Sequence, residues 1–364
     1  MRLHFVFLLF LGLFVPVSKS EAQIVPDSNF AQAIRIVCPD CIDSTNKLLP
    51  AAANLKILNV SEKNIRSLAG LEGFAGLEQL ICNANQLTSL PELPTTLEWL
   101  FCNSNKITQL PKLPESLQLL WCAGNELEII PPLPTSLMRL ICGSNKLKAL
   151  PENLPGTLHL IDCSRNQITH LPQMDHIPYL RFLYCNDNQL KQLPELSPLF
   201  TLKCANNQLK SLPRLPDFIR ELDCSNNQIS FLSNLPRGGI LLNLSSNQLT
   251  CLPTIHVEYL AKLTIDADKI KCLPNDLGTI VVTNREGVQI PTPPVCQENL
   301  THAKGNLVAD TYVATKKIES AALLLEGTTR YHTTQSITLN PGFSTAATTT
   351  AATTTFVAEL RTCN

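Results

Sequence analysis

The sequence is poor in charge, in aromatic residues and in long apolar runs. Charged residues make up 16% of it and the formal net charge is −1. That balance excludes a role resting on broad electrostatic attraction to nucleic acid or anionic lipid. Apolar residues still reach 44%, which is enough to pack a core and unlike the composition of a disordered chain. Beyond the first twenty or so residues no segment is long and apolar enough for a membrane-spanning helix. Catalytic signatures are also missing: no nucleophile elbow, H-E-x-x-H, P-loop or dinucleotide fingerprint stands in a suitable context. Of the histidines, His4 lies near the N-terminus, and His159, His170 and His176 are not at a ligand spacing. We therefore expect no enzyme activity, no cofactor and no metal. Aromatic residues are only 5%, with two tryptophans, so the places where they fall carry weight.

The N-terminus reads as a secretory signal peptide. Arg2 supplies a basic start, Phe5 to Val17 an apolar stretch, and Ser20-Glu21-Ala22 a small-residue cleavage site. The apolar stretch is too short to cross ~30 Å of hydrocarbon. The expected destination is extracellular, either released or held at the cell surface.

Self-similarity dominates the rest. The chain repeats L-x-x-L-x-C-x-x-N-x-L-x-x-L-P, and the sixth column is filled by Val60, Cys82, Cys102, Cys122, Cys142, Cys163, Cys185, Cys204, Cys224, Leu244, Ile265 and Val282. Successive spacings are 22, 20, 20, 20, 21, 22, 19, 20, 20, 21 and 17 residues. A period that short gives one turn of a coil per repeat and leaves little room for a helix. The leucine columns, for example Leu97, Leu100, Ile107 and Leu110, are predicted to point inward and stack on their counterparts in the next turn. Three residues past the sixth column stands an asparagine: Asn85, Asn105, Asn125, Asn145, Asn166, Asn188, Asn207, Asn227 and Asn247, with Asp268 once and Lys63 in the first repeat. A side-chain amide donates and accepts, so this column is predicted to satisfy backbone groups left open where strand bends into turn, a structural role. Prolines follow at Pro91, Pro111, Pro131, Pro151, Pro172, Pro194, Pro213, Pro253 and Pro274. They fix φ and disfavour helix before them, so the back of the coil should be extended or polyproline-like.

This pattern resembles the short bacterial class of leucine-rich repeats with an L-P-x-L-P spacer, here with cysteine in a usual leucine position. The resemblance covers Leu55 to Pro291 and implies a right-handed solenoid with parallel strands on a concave face that binds a partner. Some secreted effectors with such repeats carry a ubiquitin-ligase domain whose cysteine stands in C-x-D. Cys41-Ile42-Asp43 matches the tripeptide but precedes the repeats, and we read it as coincidence.

There are 14 cysteines, and export would make pairing the default. The eight in the sixth column should stay free, because neighbouring parallel strands set their Cβ atoms ~4.8 Å apart where a disulfide prefers ~3.8 Å. They are expected to be small buried apolar thiols rather than a metal or redox site. Cys38-Pro39-Asp40-Cys41 follows an amphipathic stretch (Phe30, Ile34, Val37) where a solenoid needs a cap, and reads as a structural clip. Cys251 and Cys272 stand seven residues past the sixth column in adjacent repeats, so a bond between them is open, as is one between Cys296 and Cys363.

Residues flanking the inward column of a strand point to solvent. The position before the cysteine column reads Ile81, Phe101, Trp121, Ile141, Asp162, Tyr184 and Lys203; two residues earlier it reads Gln79, Trp99, Leu119, Arg139, Leu160, Phe182 and Thr201. Both tryptophans fall in this set. A contiguous exposed aromatic patch marks a binding surface, and Trp, Tyr and Arg dominate binding hot spots. The predicted site is Trp99, Phe101, Leu119, Trp121, Arg139, Ile141, Phe182 and Tyr184, rimmed by Glu98, His159 and Arg181, with a protein or glycan as partner. The alternative is a surface protein whose repeats associate with copies of themselves.

The organisation expected is a signal peptide over 1–22, an N-terminal cap over 23–54, 11–12 repeats over 55–291, a linker over 292–310 and a small Thr-rich β element over 311–364. The run Ser336-Ile337-Thr338-Leu339-Asn340-Pro341-Gly342-Phe343 is similar to short β-rich modules near the C-termini of exported bacterial proteins. One outcome follows directly: protein recovered from outside the producing cell should begin near Gln23 when its N-terminus is read by mass spectrometry, and a mature chain beginning at Met1 would refute the leader.

Overall fold

The computed structural model describes residues 23–293 apart from 197, 267, 271 and 272, and beyond them the backbone of eight strands between 299 and 360. The leader, Cys272, Cys296, Cys363 and the stretch Thr348 to Thr355 lie outside the described residues.

Each repeat contributes one three-residue strand, and the twelve strands form a single parallel sheet in strict chain order. They are β1 (Ile57–Asn59), β2 (Gln79–Ile81), β3 (Trp99–Phe101), β4 (Leu119–Trp121), β5 (Arg139–Ile141), β6 (Leu160–Asp162), β7 (Phe182–Tyr184), β8 (Thr201–Lys203), β9 (Glu221–Asp223), β10 (Leu241–Asn243), β11 (Lys262–Thr264) and β12 (Val281–Thr283). The middle residue of each occupies the second leucine column of the repeat, as isoleucine in β6 and valine in β12, and it is buried in every strand. Among the described residues no helix occurs between Gln79 and Thr283, as the proline spacers dictate. In the last repeat the register corrects the alignment read from the sequence. Val282 pairs with Leu263, not with Ile265, so it stands in the fourth column and Asn284 falls in the sixth. The apolar Val-Val pair invited the wrong column because the repeat carries no asparagine to anchor it.

The interior is one continuous apolar stack that includes the eight cysteines of the sixth column, which are the free ones among the described residues. Burial alone pushes the Cys82 thiol up to about 12. For Cys122 and Cys185 burial is the main cause of a rise to about 12. The column is therefore a row of neutral thiols, as its even spacing implied.

The bends are held by the asparagines. Asn125 donates from Nδ2 to the carbonyls of Cys102 and Cys122, each at 3.0 Å, and its Oδ1 accepts from the Ile107 N–H at 3.0 Å. The same three-way bond recurs from Asn85 to Asn247. The residue before each of these asparagines is left-handed, from Ala84 (φ 51°) and Ser104 (φ 54°) through Arg165 (φ 53°) to Ser246 (φ 55°), with glycine there only at Gly124. A side chain in that conformation costs about 1 kcal/mol, so the ladder over-determines the bend. A second ladder lies four residues before each strand's central leucine. The hydroxyls of Thr96, Ser116, Ser136 and Thr157 each reach a carbonyl of the preceding turn at 2.7 Å.

Both ends of the sheet are closed. At the start, α1 (Ser28–Val37) buries Phe30, Ala31, Ala33 and Ile34. Val37, expected inward, is exposed, because the helix ends there and the chain turns into the Cys38–Cys41 disulfide, whose Cα atoms are 5.3 Å apart. The two oxygens of Asp27 divide their work: Oδ1 caps α1 through the N–H groups of Asn29 and Phe30, and Oδ2 accepts from Arg66 and Ser67 of the first repeat. Burial opposes the Asp27 charge, but those four N–H donors outweigh it and hold the carboxyl below its ordinary value. At the far end the chain folds back on β12 as an antiparallel hairpin, with Ile290 N–H bonded to the Val282 carbonyl at 3.0 Å. That pairing blunts an edge strand that would otherwise offer free backbone groups.

Beyond it the backbone forms parallel ladders again: β13 (Asn299–His302) with β16 (Lys317–Ser320) and β19 (Ser336–Leu339), β14 (Asn306–Leu307) with β17 (Leu323–Leu324), and β15 (Thr311–Ala314) with β18 (Thr329–Thr333) and β20 (Phe356–Leu360). Strands β13 and β14 fall inside the span read as a linker.

Two outcomes test this account. Asn125→Ala leaves the buried Ile107 N–H without an acceptor, while the Cys102 and Cys122 carbonyls keep Asn105 and Asn145 as donors. Denaturant unfolding should show a loss of about 1–3 kcal/mol, and a change inside experimental error would remove the ladder's structural role. The thiols set an alkaline limit. Their protons are held more tightly folded than unfolded, so their contribution is complete below the ordinary thiol value of 9.0 and is lost as pH rises toward about 12. The thermal midpoint should fall over that window, and at neutral pH none of the eight should react with a thiol reagent until the protein unfolds.

Candidate functional site

The sheet presents two outward rows. In the first, Trp99 pairs with Leu119, Leu119 with Arg139, Arg139 with Leu160 and Leu160 with Phe182. In the second, Phe101 pairs with Trp121, Trp121 with Ile141, Ile141 with Asp162 and Asp162 with Tyr184. The cause is local: three-residue strands alternate out-in-out, and the leucine between the two outward positions is committed to the core. Trp99 and Trp121 keep 38% and 40% of their surface exposed, although each is flanked by other large side chains. The rings of Phe101 and Trp121 meet at 5.8 Å between centroids and a 50° tilt, a geometry that suits aromatic quadrupoles.

These rows bring Trp99, Phe101, Leu119, Trp121, Arg139 and Ile141 together on three adjacent strands. Phe182 and Tyr184 share the rows but stand beyond β6. There Asp162 turns its Oδ1 back to the Ser164 N–H and hydroxyl, at 3.0 and 2.6 Å, so it is engaged in its own turn. Thr201, expected outward, is buried, a small side chain between Phe182 and Glu221 in the same row.

Past Tyr184 the face becomes charged. Lys203 Nζ lies 5.7 Å from the Tyr184 ring centroid and 2.8 Å from Glu221 Oε1. The Glu221 hydrogen bond raises the Lys203 ammonium above its ordinary value. Burial raises the Tyr184 phenol, with Lys203 pulling it the other way. Among the predicted rim, Glu98 and Arg181 are partly buried and His159 is exposed, its ring stacked on Tyr179 at 5.8 Å.

Among the described residues no group of three or more His, Cys, Asp or Glu side chains is arranged to hold a metal, and no helix is long and apolar enough to cross a membrane. Cys41, the residue of the C-x-D match, is bonded to Cys38. Cys251 is in disulfide linkage.

A second cluster of exposed large residues escaped the sequence reading. It lies on the flank where the chain enters the strands, in the column that holds the Thr/Ser hydroxyls earlier in the coil. From the seventh repeat that column reads Tyr179, Pro198, Phe218, Gly238 and Tyr259, with Tyr179, Phe218 and Tyr259 all more than half exposed. The replacement of hydroxyls by rings at one spacing was the available signal.

No family model matches the sequence, and no curated protein matches it. Solved structures do. YopM from Yersinia enterocolitica WA-314 is 33% identical with a TM-score of 0.55, over 64% of this chain and 56% of that one. This chain thus spans little more than half the length of that relative. YopM of Yersinia pestis, described as a leucine-rich effector protein, is 29% identical with a TM-score of 0.55, over 63% of this chain and 72% of that one. A leucine-rich-repeat protein of Leptospira interrogans shares the fold at 20% identity and a TM-score of 0.50, over 80% of this chain and 84% of that one. One strand per turn, a parallel sheet in chain order, an asparagine at nine successive bends from Asn85 to Asn247 and these likenesses lead to one assignment: the chain belongs to the leucine-rich-repeat proteins, with a solenoid similar to those of bacterial members.

Proposed function

We propose that this chain is an exported recognition module whose strand face binds a partner, a protein or a glycan, at Trp99, Phe101, Leu119, Trp121, Arg139 and Ile141, with Phe182 and Tyr184 extending the surface. The observation that carries this reading is the cross-strand register that gathers both tryptophans of the chain, one arginine and three further apolar side chains on three neighbouring strands. None of them is needed to fill the interior, which the leucine and cysteine columns already occupy. Exposed aromatic and arginine side chains on a rigid sheet lose little freedom on binding and bury large areas. A continuous open face offers no enclosed pocket to bring reacting groups together, which favours binding over catalysis. A structural relative described as an effector protein also favours a protein partner.

The test is capture from extracellular extracts and on a glycan array, with mature protein and a Trp99→Ala/Trp121→Ala variant side by side. Truncating two half-exposed rings should leave folding intact by circular dichroism and weaken binding at least tenfold, the scale of two hot-spot residues. Equal binding by the two proteins would remove the strand face as the site. Concentration-dependent self-association of the wild type alone, measured by sedimentation, would instead make copies of this chain the partner.

A further inference from the structure

The flank of the later repeats is built differently from that of the earlier ones. In repeats three to six the column four residues before the strand leucine is a run of hydroxyls, each spent on a carbonyl of the preceding turn. In repeats seven to eleven the same column alternates large and small: Tyr179, Pro198, Phe218, Gly238, Tyr259. A structural bond has been given up at alternate turns for rings that stand 56%, 68% and 63% exposed. A small residue between two rings leaves room for a hollow. One lies over Gly238 between Phe218 and Tyr259, walled by Ile240, Ile255 and Val257. A Cβ at Gly238 would come within 3.1 Å of the Asp217 carbonyl, a tight contact at the floor of the hollow.

The neighbouring column supplies charge. Phe200 lies between two guanidinium groups, with Arg181 Cζ 5.5 Å and Arg220 Cζ 5.6 Å from its ring centroid. Arg181 is held further by Nη1, which donates to the carbonyls of Pro178, Leu180 and Pro198. Neither arginine takes part in an ion pair among the described residues. Arg237, by contrast, has Asp217 at 3.9 Å. Glu258 stands on the opposite wall of the Gly238 hollow, beside Tyr259, so the electrostatic preference has a direction. Anionic groups are favoured on the Phe200 side and disfavoured at the Tyr259 end.

We propose that this flank is a second docking surface, distinct from the tryptophan-bearing strands although Arg181 also stood in the predicted rim there, and that its occupant is an extended acidic peptide with apolar side chains three residues apart. The ridges recur every second repeat, roughly 10 Å at the strand spacing. A polyproline-like segment presents residues i and i+3 on one face about 9 Å apart, so one apolar side chain would enter the Gly238 hollow with the next in register at Pro198, two turns away. The aliphatic walls favour a peptide side chain over a sugar. The carboxylates of such a segment would meet the outward edges of Arg181 and Arg220, already oriented by Phe200 and by backbone carbonyls.

The probe is a fluorescent peptide of four Leu-Glu-Pro repeats, titrated into mature protein and followed by anisotropy, with Leu-Lys-Pro and Gly-Glu-Pro repeats and a sulfated polysaccharide as comparisons. The expected result is saturable binding of the Leu-Glu-Pro peptide only. It should weaken roughly tenfold or more in Arg181→Gln/Arg220→Gln and in Phe218→Ser/Tyr259→Ser, and remain unchanged in Trp99→Ala/Trp121→Ala. Arg220, Phe218 and Tyr259 are exposed and Arg181 is half-buried, and an unchanged thermal midpoint confirms that each variant is folded. No binding by the wild type up to about 1 mM, equal binding by either flank variant, or loss in the tryptophan variant would overturn the proposal. Tighter binding of the polysaccharide than of the peptide would overturn it in favour of an anionic glycan. Because the tryptophan variant is a separate arm, failure here leaves the strand-face reading untouched.

Discussion

Nine successive bends of this solenoid, from Asn85 to Asn247, depend on an asparagine side chain doing what the backbone cannot do for itself. A parallel strand of three residues ends too soon to pair all its polar groups, and the left-handed residue at the bend turns an N–H and two carbonyls toward the interior. One amide answers all three. Asn105 reaches Cys82 and Cys102 with its donors and takes the Leu87 N–H on its acceptor, so each turn is tied to the one before it. The apolar stack is held in register by these bonds. Leucine and cysteine columns supply the driving force, but an apolar column by itself is tolerant of slippage, whereas a three-way hydrogen bond is not.

Because the ladder and the core take up two sides of the coil, the remaining surfaces are free to vary. On the strand face the variation is regional. Repeats two to five carry Ile81, Trp99, Phe101, Leu119, Trp121 and Ile141, and repeats eight and nine carry Lys203, Glu221 and Asp223. On the entering flank the order is reversed, with plain hydroxyls early and exposed rings late. The two aromatic surfaces therefore occupy different sides and different lengths of one rigid stack. A coil in which each repeat touches mainly its neighbours can change such patches one at a time without disturbing the fold.

The rows on the strand face could be read directly from the period, since alternation in a short strand leaves no choice about which residues point outward. Thr201 shows the limit of that rule: its position is outward, yet its neighbours across the sheet are large enough to cover it. Asp162 shows another, because a side chain read only as pointing to solvent is engaged in its own turn through Ser164. The flank was overlooked because its signal is a departure from a column that carries no conspicuous residue. Thr, Ser, Tyr, Phe, Pro and Gly at one position look like spacer until the hydroxyl bonds of Thr96, Ser116, Ser136 and Thr157 show what the position does.

The sequence by itself determined the solenoid, the inward columns, the free and buried state of the eight cysteines, the asparagine ladder, the helix-free back and the clip between Cys38 and Cys41. All of these follow from residues at fixed spacing, where one period serves both chain and structure. Only the tertiary structure decided the register of β12, the left-handed residue before each asparagine, the double use of Asp27 and the grouping of Arg181, Phe200 and Arg220. Those depend on contacts between turns about twenty residues apart. There the neighbour is set by stacking, and no property of a single repeat reveals it.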